Sequence, residues 1–140
     1  MTDDINNKLV SLLFSVKRAI MYKLKSRKGL DLLSFLHAET LRFIEETDNP
    51  TNSKLAKHLC ISKPSATSLL DNLERQKLIR RLAAPVDKRK KIIDVTINGT
   101  GLIKSNTIQI NRAAKEIFNN LNVTEKKALI NIYKKILKNI

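Results

Sequence analysis

The sequence contains little cysteine, glycine, proline or aromatic residue. Its 140 residues include one Cys, three Gly, three Pro and no Trp, and aromatic residues make up 4%. A single cysteine, Cys60, excludes a disulfide framework within the chain and fits a reducing compartment. The scarcity of Gly and Pro in a chain rich in Leu, Ile, Asn and Lys disfavours a turn-rich β sandwich and favours helices.

Long apolar runs are also missing. No window approaches the roughly 18 to 20 uninterrupted apolar residues that a membrane span needs. The first residues, MTDDINNK, are acidic rather than the basic start of a secretion signal. We therefore expect a soluble, cytoplasmic protein with no membrane partner.

Motifs for enzyme chemistry are not found either. The sequence has no Gly-rich phosphate loop, no HExxH, no CxxC and no plausible nucleophile beside a base. Its two histidines, His37 and His58, have no companion Cys or metal-spaced carboxylates. We predict that the protein is not an enzyme and has no cofactor and no metal site.

Positive charge is abundant. Lys and Arg number 27 against 13 Asp and Glu, which gives a net charge of +14. A surplus of this size usually marks a polyanionic partner, so double-stranded DNA is the first candidate. Residues 74–91 alone hold eight basic side chains against two acidic ones.

Apolar spacing predicts two helices before residue 47, over about residues 5–25 and 32–44. Two shorter helices follow, and each has an N-cap candidate. The Thr51 hydroxyl can cap the first, and Ser62 can cap the second, where Pro64 falls in the first turn and its missing amide hydrogen costs nothing. The second helix, over about residues 63–76, should bury Ala66, Leu69, Leu70 and Leu73. This order predicts a helix-turn-helix.

The second helix of a helix-turn-helix reads base edges in the major groove with its early residues. Here they are small and mostly hydroxylic: Ser62, Lys63, Pro64, Ser65, Thr67 and Ser68. Hydroxyl groups can donate or accept, but this face has no bidentate reader such as an outward Arg for guanine. We expect modest direct readout combined with recognition of DNA shape.

Residues 78–82 and 92–96 predict two antiparallel strands, joined by the loop APVDKRKK. This hairpin is a wing whose basic residues can neutralise phosphates. Arg89 is the candidate for a narrow minor groove, because Asp87 can brace its guanidinium. We assign DNA contacts in this region to Arg81, Asp87, Lys88, Arg89 and Lys90.

Two more helices follow the wing, over about residues 98–120 and from a cap near Thr124 to the end. The first and last helices of the chain have wide apolar faces with few partners in one copy. A second copy would bury them, and a twofold axis would place two reading helices roughly 34 Å apart on DNA. The pattern predicts a homodimer.

Several segments resemble the MarR (multiple antibiotic resistance regulator) family of winged helix-turn-helix transcription regulators. They are SKPSATSLLDNLERQ in the reading helix, LIRR in the next strand, the wing motif Asp87-Lys88-Arg89, and VTINGTGL, which looks like the family's entry into its long fifth helix. The resemblance implies an obligate homodimer on a pseudo-palindromic operator, usually acting as a repressor. In many members a small ligand or an oxidation event releases DNA.

The chain departs from the family pattern at Lys77, where the family usually has Gly, and we expect a different backbone conformation there. Oxidation-sensing members carry a Cys near the start of the first helix, and this chain has none there. We interpret Cys60 as a packing residue of the turn.

The predicted fold class is mainly α with a small β-wing: a winged helix-turn-helix with N- and C-terminal dimerisation helices. We expect one domain over residues 1–140, with the DNA-binding module over about 30–97 and dimerisation helices over about 1–28 and 98–140. The predicted function is a homodimeric, sequence-specific transcriptional repressor with a small-molecule effector. The alternative is a winged-helix architectural or protein-docking module that binds nucleic acid only non-specifically.

Overall fold

A computed structural model describes residues 1–25, 32–87 and 91–140 of the chain. These residues form, in order, α1 (Thr2–Lys25), α2 (Leu32–Glu46), α3 (Asn52–Leu59), α4 (Lys63–Arg75), β1 (Ile79–Ala83), β2 (Lys91–Val95), α5 (Ile97–Ile117) and α6 (Val123–Lys138). The two strands pair antiparallel, from Ile79 opposite Val95 to Ala83 opposite Lys91. The predicted fold class, mainly helical with a two-stranded wing, is confirmed.

The strands begin and end one residue away from the predicted positions, and local hydrogen bonds explain the late start of β1 and the early end of β2. The Leu78 amide donates to the Leu73 carbonyl at 2.9 Å and so completes the end of α4 instead of joining β1. The Thr96 hydroxyl accepts from the Gly99 amide at 3.2 Å, so this residue caps α5 instead of ending β2.

The described chain divides into two compact units, one formed by Lys25–Ile108 and the other by Met1–Leu24 with Gln109–Ile140. The first contains the helix-turn-helix and the wing. Its core gathers side chains from α2, α3, α4 and β1, and the largest of those fully buried are Leu41, Leu55, Leu70, Leu73 and Ile79. Burying each such side chain contributes about 1.5 to 3 kcal/mol, so this core fixes α3 and α4 against each other.

The second unit leaves most of its apolar side chains exposed. Within α1, which is described in full, Leu24 is the one buried residue, and α6 has none. Leu13 is 61% exposed and Leu137 69% exposed. Lys23 forms an ion pair with Glu116 at 3.4 Å, which links α1 to the last turn of α5.

The start of α6 differs from the prediction. We expected a cap at Thr124, but the cap is Asn122, whose side chain accepts from the Glu125 amide at 2.9 Å. The Glu125 carboxylate accepts from the Asn122 amide at 3.0 Å in return. This reciprocal capping box satisfies two amides that a cap at Thr124 would leave unpaired.

Among the described residues, no helix combines the length and the apolar character that crossing a membrane requires. In those same residues, no cluster of three or more His, Cys, Asp or Glu side chains is arranged to hold a metal ion.

Candidate nucleic-acid interface

The turn between α3 and α4 sets the direction of the reading helix. The predicted cap of α3 is confirmed, since the Lys54 amide donates to the Thr51 hydroxyl at 3.2 Å. Cys60 takes a left-handed conformation with φ 55°, and the Ile61 amide donates back to the Ala56 carbonyl at 3.0 Å. These bonds end α3 and reverse the chain over one residue.

Cys60 is exposed in this turn, so its interpretation as a packing residue is wrong. Its thiol points to the Lys57 carbonyl at 3.8 Å, while the neighbouring Ile61 packs against the core instead. In a left-handed helix ending, the apolar contact belongs to the residue after the left-handed one. Cys60 lies one position before the residue that this helix ending buries.

The reading helix α4 turns one face inward and leaves its N-terminal end exposed. As predicted, Ser62 caps it, accepting from the Ser65 amide at 3.2 Å, and Pro64 lies in its first turn. The inward face consists of the four residues expected, Ala66, Leu69, Leu70 and Leu73. The exposed residues at its start are Ser62, Lys63, Pro64, Ser65 and Ser68. Five of the six predicted reading residues are therefore exposed.

Thr67 is the exception, since it is not exposed and its hydroxyl bonds to α3. It accepts from the Asn52 amide group at 2.7 Å and donates to the Lys63 carbonyl at 3.1 Å. The side chain is half-buried. Thr67 joins the first helix of the motif to the second, and Asn52 is a partner that the sequence analysis did not identify.

Arg81 lies on β1 with its guanidinium directed at α4. Its Nη1 lies 2.9 Å from Asp71 Oδ1 and 3.8 Å from Glu74 Oε1, and its side chain is 21% exposed. Arg80, the preceding residue, instead pairs across the hairpin with Asp94 at 3.0 Å, and its side chain is 61% exposed. The two neighbouring arginines therefore hold different pairs of elements together.

The remaining predicted DNA contacts belong to the tip of the wing. Asp87 is half-buried. Lys88, Arg89 and Lys90 lie outside the described residues, so their assignment stays a prediction. The paired part of the hairpin brings the chain out from the end of α4 and returns it to the start of α5.

The junction between α4, the wing and α5 explains the VTINGTGL motif. The Thr96 hydroxyl donates to the Lys77 carbonyl at 2.6 Å and accepts from the Gly99 amide at 3.2 Å. Gly99 lies so close to the Leu78 carbonyl that a side chain would collide with it, and a built Cβ would also lie 2.6 Å from Val95 Cγ1. Thr and Gly at this spacing allow α5 to start directly against the end of the reading helix.

Lys77 keeps the conformation that glycine favours. We expected a different backbone at this position, but its φ is 61°, in the left-handed region. The Lys77 amide donates to the Glu74 carbonyl at 2.9 Å, and the Leu78 amide donates to Leu73. These two bonds define a Schellman ending, which needs the left-handed residue whatever its side chain.

A cleft of about 310 Å³ opens beside the reading helix. Its lining comes from the start of α3, from α4 and from both strands: Pro50, Thr51, Asn52, Thr67, Arg81 and Ile93. Arg81 is the cation among these residues. The cleft is therefore bounded by the elements that set the position of α4.

Comparison with known proteins identifies this arrangement. Residues 33–91, which run from α2 to the start of the second strand, match the model of the MarR family. This match covers 59 of the 140 residues, so the module over residues 33–91 is similar to the MarR family. The resemblance read from the reading helix and the wing is thus confirmed, and MarR-family proteins are transcriptional regulators.

One curated relative of this chain is the homoprotocatechuate degradative operon repressor of Escherichia coli. The two are 34% identical over 77 residues, which are 55% of this chain and 52% of that protein. The matched segment thus spans about half the length of the curated relative.

Solved structures match this chain over nearly its whole length. The transcriptional regulator BldR from Sulfolobus solfataricus has a TM-score of 0.77 at 23% identity, covering 100% of this chain and 99% of that chain. A complex of MepR from S. aureus with DNA has a TM-score of 0.68 at 23% identity, covering 94% and 97%. At these identities the similarity shows a common fold.

Proposed function

We propose that this protein is a sequence-specific DNA-binding regulator of transcription, acting as a repressor rather than as an enzyme. The observation that carries the proposal is the exposed start of α4, where Ser62, Lys63, Pro64, Ser65 and Ser68 stand free of the core while four apolar side chains of the helix are buried in it. A helix presented this way can enter the major groove with its early residues. Double-stranded DNA is then the partner, in the cytoplasm.

The basic wing supports the same partner. It follows α4 directly, and Lys88, Arg89 and Lys90 give its loop a strong positive charge in sequence. Each phosphate neutralised by such a side chain releases counterions and strengthens binding. The named relatives agree with this proposal: one is an operon repressor, and MepR was solved in complex with DNA.

We propose that the working form is a homodimer, assembled through helices within about residues 1–28 and 98–140, with a DNA-binding module over about 30–97. The support is the exposed apolar surface of α1 and α6, where residues such as Leu9 at 60% and Ile136 at 51% exposure meet solvent in a single copy. Exposed apolar surface of this extent marks an interaction site, and a second copy packed against it would shield it from water. A twofold dimer would present two reading helices to a pseudo-palindromic operator.

Relief by a small-molecule effector completes the proposal. The cleft beside α4 is supporting evidence, because a ligand that fills it would contact Thr67 and Arg81, which both hold the reading helix. Asp71 and Glu74 already pair with Arg81, so the cleft favours an uncharged small molecule over an anion. A panel of uncharged aromatic and aliphatic compounds added to the protein–operator complex should include a compound that releases DNA, and release by none of them would remove this class of effector.

The decisive experiment is selection of bound sequences from a random duplex pool, followed by competition between the best sequence and random duplex at physiological salt. We expect a two-fold related site and a preference of at least about 10³ for it. The same competition is measured for Lys63→Ala, which removes a charge at the start of α4, and for Lys134→Ala on α6 as its control. A random duplex that competes as well as the selected one would favour the alternative, a non-specific architectural or docking module.

A further inference from the structure

Arg81 stands at the contact between the reading helix and the wing. It belongs to β1, yet its guanidinium reaches two carboxylates of α4, Asp71 at 2.9 Å and Glu74 at 3.8 Å. These carboxylates are three residues apart and so lie on one side of the helix. One side chain of the wing thus pairs with two carboxylates that lie three residues apart on α4.

The charges of this cluster argue against a phosphate contact. Arg81 contributes one positive charge, whereas Asp71 and Glu74 contribute two negative ones, so an approaching phosphate meets a cluster that is negative overall. The guanidinium side chain is also only 21% exposed, compared with 61% for Arg80 on the same strand. A group that is shielded and already neutralised gains little from DNA.

The same geometry suits a positioning role. The apolar face of α4 holds the helix in the core, and the hydrophobic effect behind those contacts is itself non-directional. A charged hydrogen bond from Arg81 to Asp71 has a fixed direction. It therefore fixes the rotation of α4 with respect to the strand that carries the wing.

We propose that Arg81 is a positioning residue that sets the angle between the reading helix and the wing, so that both meet neighbouring grooves of one duplex, and that it does not contact phosphate. This inference rests on the proposed DNA-binding function. It replaces the DNA contact predicted for Arg81 from the sequence. It also assigns a role to Asp71, an acidic residue on a helix meant for a polyanion.

The test compares Asp71→Asn and Arg81→Gln with Arg80→Gln, which removes the same charge and an ion pair one residue away. Affinity for the selected operator and for random duplex is measured over a series of salt concentrations. We expect Asp71→Asn and Arg81→Gln each to weaken operator binding roughly three- to tenfold, and the double variant to be no worse than either one. Random-duplex affinity should not fall in Asp71→Asn, because the change removes a negative charge. Arg80→Gln should keep the wild-type ratio of the two affinities.

The salt dependence separates the two roles. A lost phosphate contact makes the negative slope of log affinity against log salt shallower by about 0.9, whereas a lost positioning contact leaves the slope unchanged. A shallower slope in Arg81→Gln, with operator affinity unchanged or raised in Asp71→Asn, would overturn the proposal.

Amide hydrogen exchange without DNA gives a second measurement. Faster exchange in both α4 and β1 is expected for Asp71→Asn and Arg81→Gln but not in α4 for Arg80→Gln. Unchanged exchange in α4 would refute the positioning role of Arg81. This measurement does not depend on the proposed function, because it needs no operator.

Discussion

Gly99 lies in the first turn of α5 against the backbone that leaves the reading helix, and its replacement by alanine tests that close approach. The added Cβ would collide with the Leu78 carbonyl and lie 2.6 Å from Val95 Cγ1. The Leu78 carbonyl cannot easily withdraw, because it accepts from the Thr96 amide at 3.0 Å. The collision therefore has to be relieved by moving α5 or the wing.

The expected magnitude follows from two opposing terms. Overpacking of a rigid site costs about 3 kcal/mol, at the upper end of the usual range, because backbone is involved. Alanine regains about 1 kcal/mol over glycine inside a helix. The free energy of unfolding of Gly99→Ala should thus fall by about 2 kcal/mol.

Gly101 provides the matched control, since it lies on the same helix and nothing approaches its Cβ position within 4 Å. Gly101→Ala keeps the helix-propensity gain alone and should raise the free energy of unfolding by about 1 kcal/mol. Urea unfolding followed by circular dichroism, at equal protein concentration, measures both. Two variants that shift in the same direction by similar amounts would refute the packing of Gly99 against Leu78.

The remaining predictions concern a turn, a cap, the wing tip and assembly. Lys77→Gly should raise the free energy of unfolding by about 1 kcal/mol in the same assay, because it relieves a left-handed φ, and Lys77→Ala should bring no gain. Asn122→Ala should lower it by about 1 kcal/mol while Thr124→Ala changes it little. Arg89→Ala should weaken operator binding by about 1 to 3 kcal/mol in an anisotropy titration; unchanged affinity removes its assigned role. Light scattering at micromolar concentration should give a dimer mass, and a monomer mass contradicts the proposed assembly.

Short-range signals were sufficient to predict most of the fold. Thr51 and Ser62 both cap the helices expected of them, since an N-cap depends on an amide only three residues away. The buried face of α4 followed from apolar spacing alone. Asn122 was missed because Thr124 is also a good cap, although Glu125 three residues after Asn122 carries the capping-box signal.

Contacts between distant residues were beyond the sequence analysis. Thr67 and Asn52 are 15 residues apart, and their hydrogen bond depends on how α3 and α4 pack. Asp71 and Arg81 meet because β1 returns beside α4, so a basic residue near the wing was read as a DNA contact. Net charge indicates a polyanionic partner for the whole chain but does not say which cations are neutralised within it.

Thr96 fixes the base of the hairpin through contacts that do not involve its tip. Its hydroxyl ties the base of the wing to the Lys77 carbonyl and to the Gly99 amide, so the two ends of the hairpin are fixed before the loop begins. Changing the length of a loop between fixed ends costs little, about 0.6 kcal/mol for each doubling. The tip can therefore gain, lose or exchange residues while α4 and α5 stay in register. On the proposed function, minor-groove preference can diverge among related regulators without any change to α4, the proposed reader of the major groove.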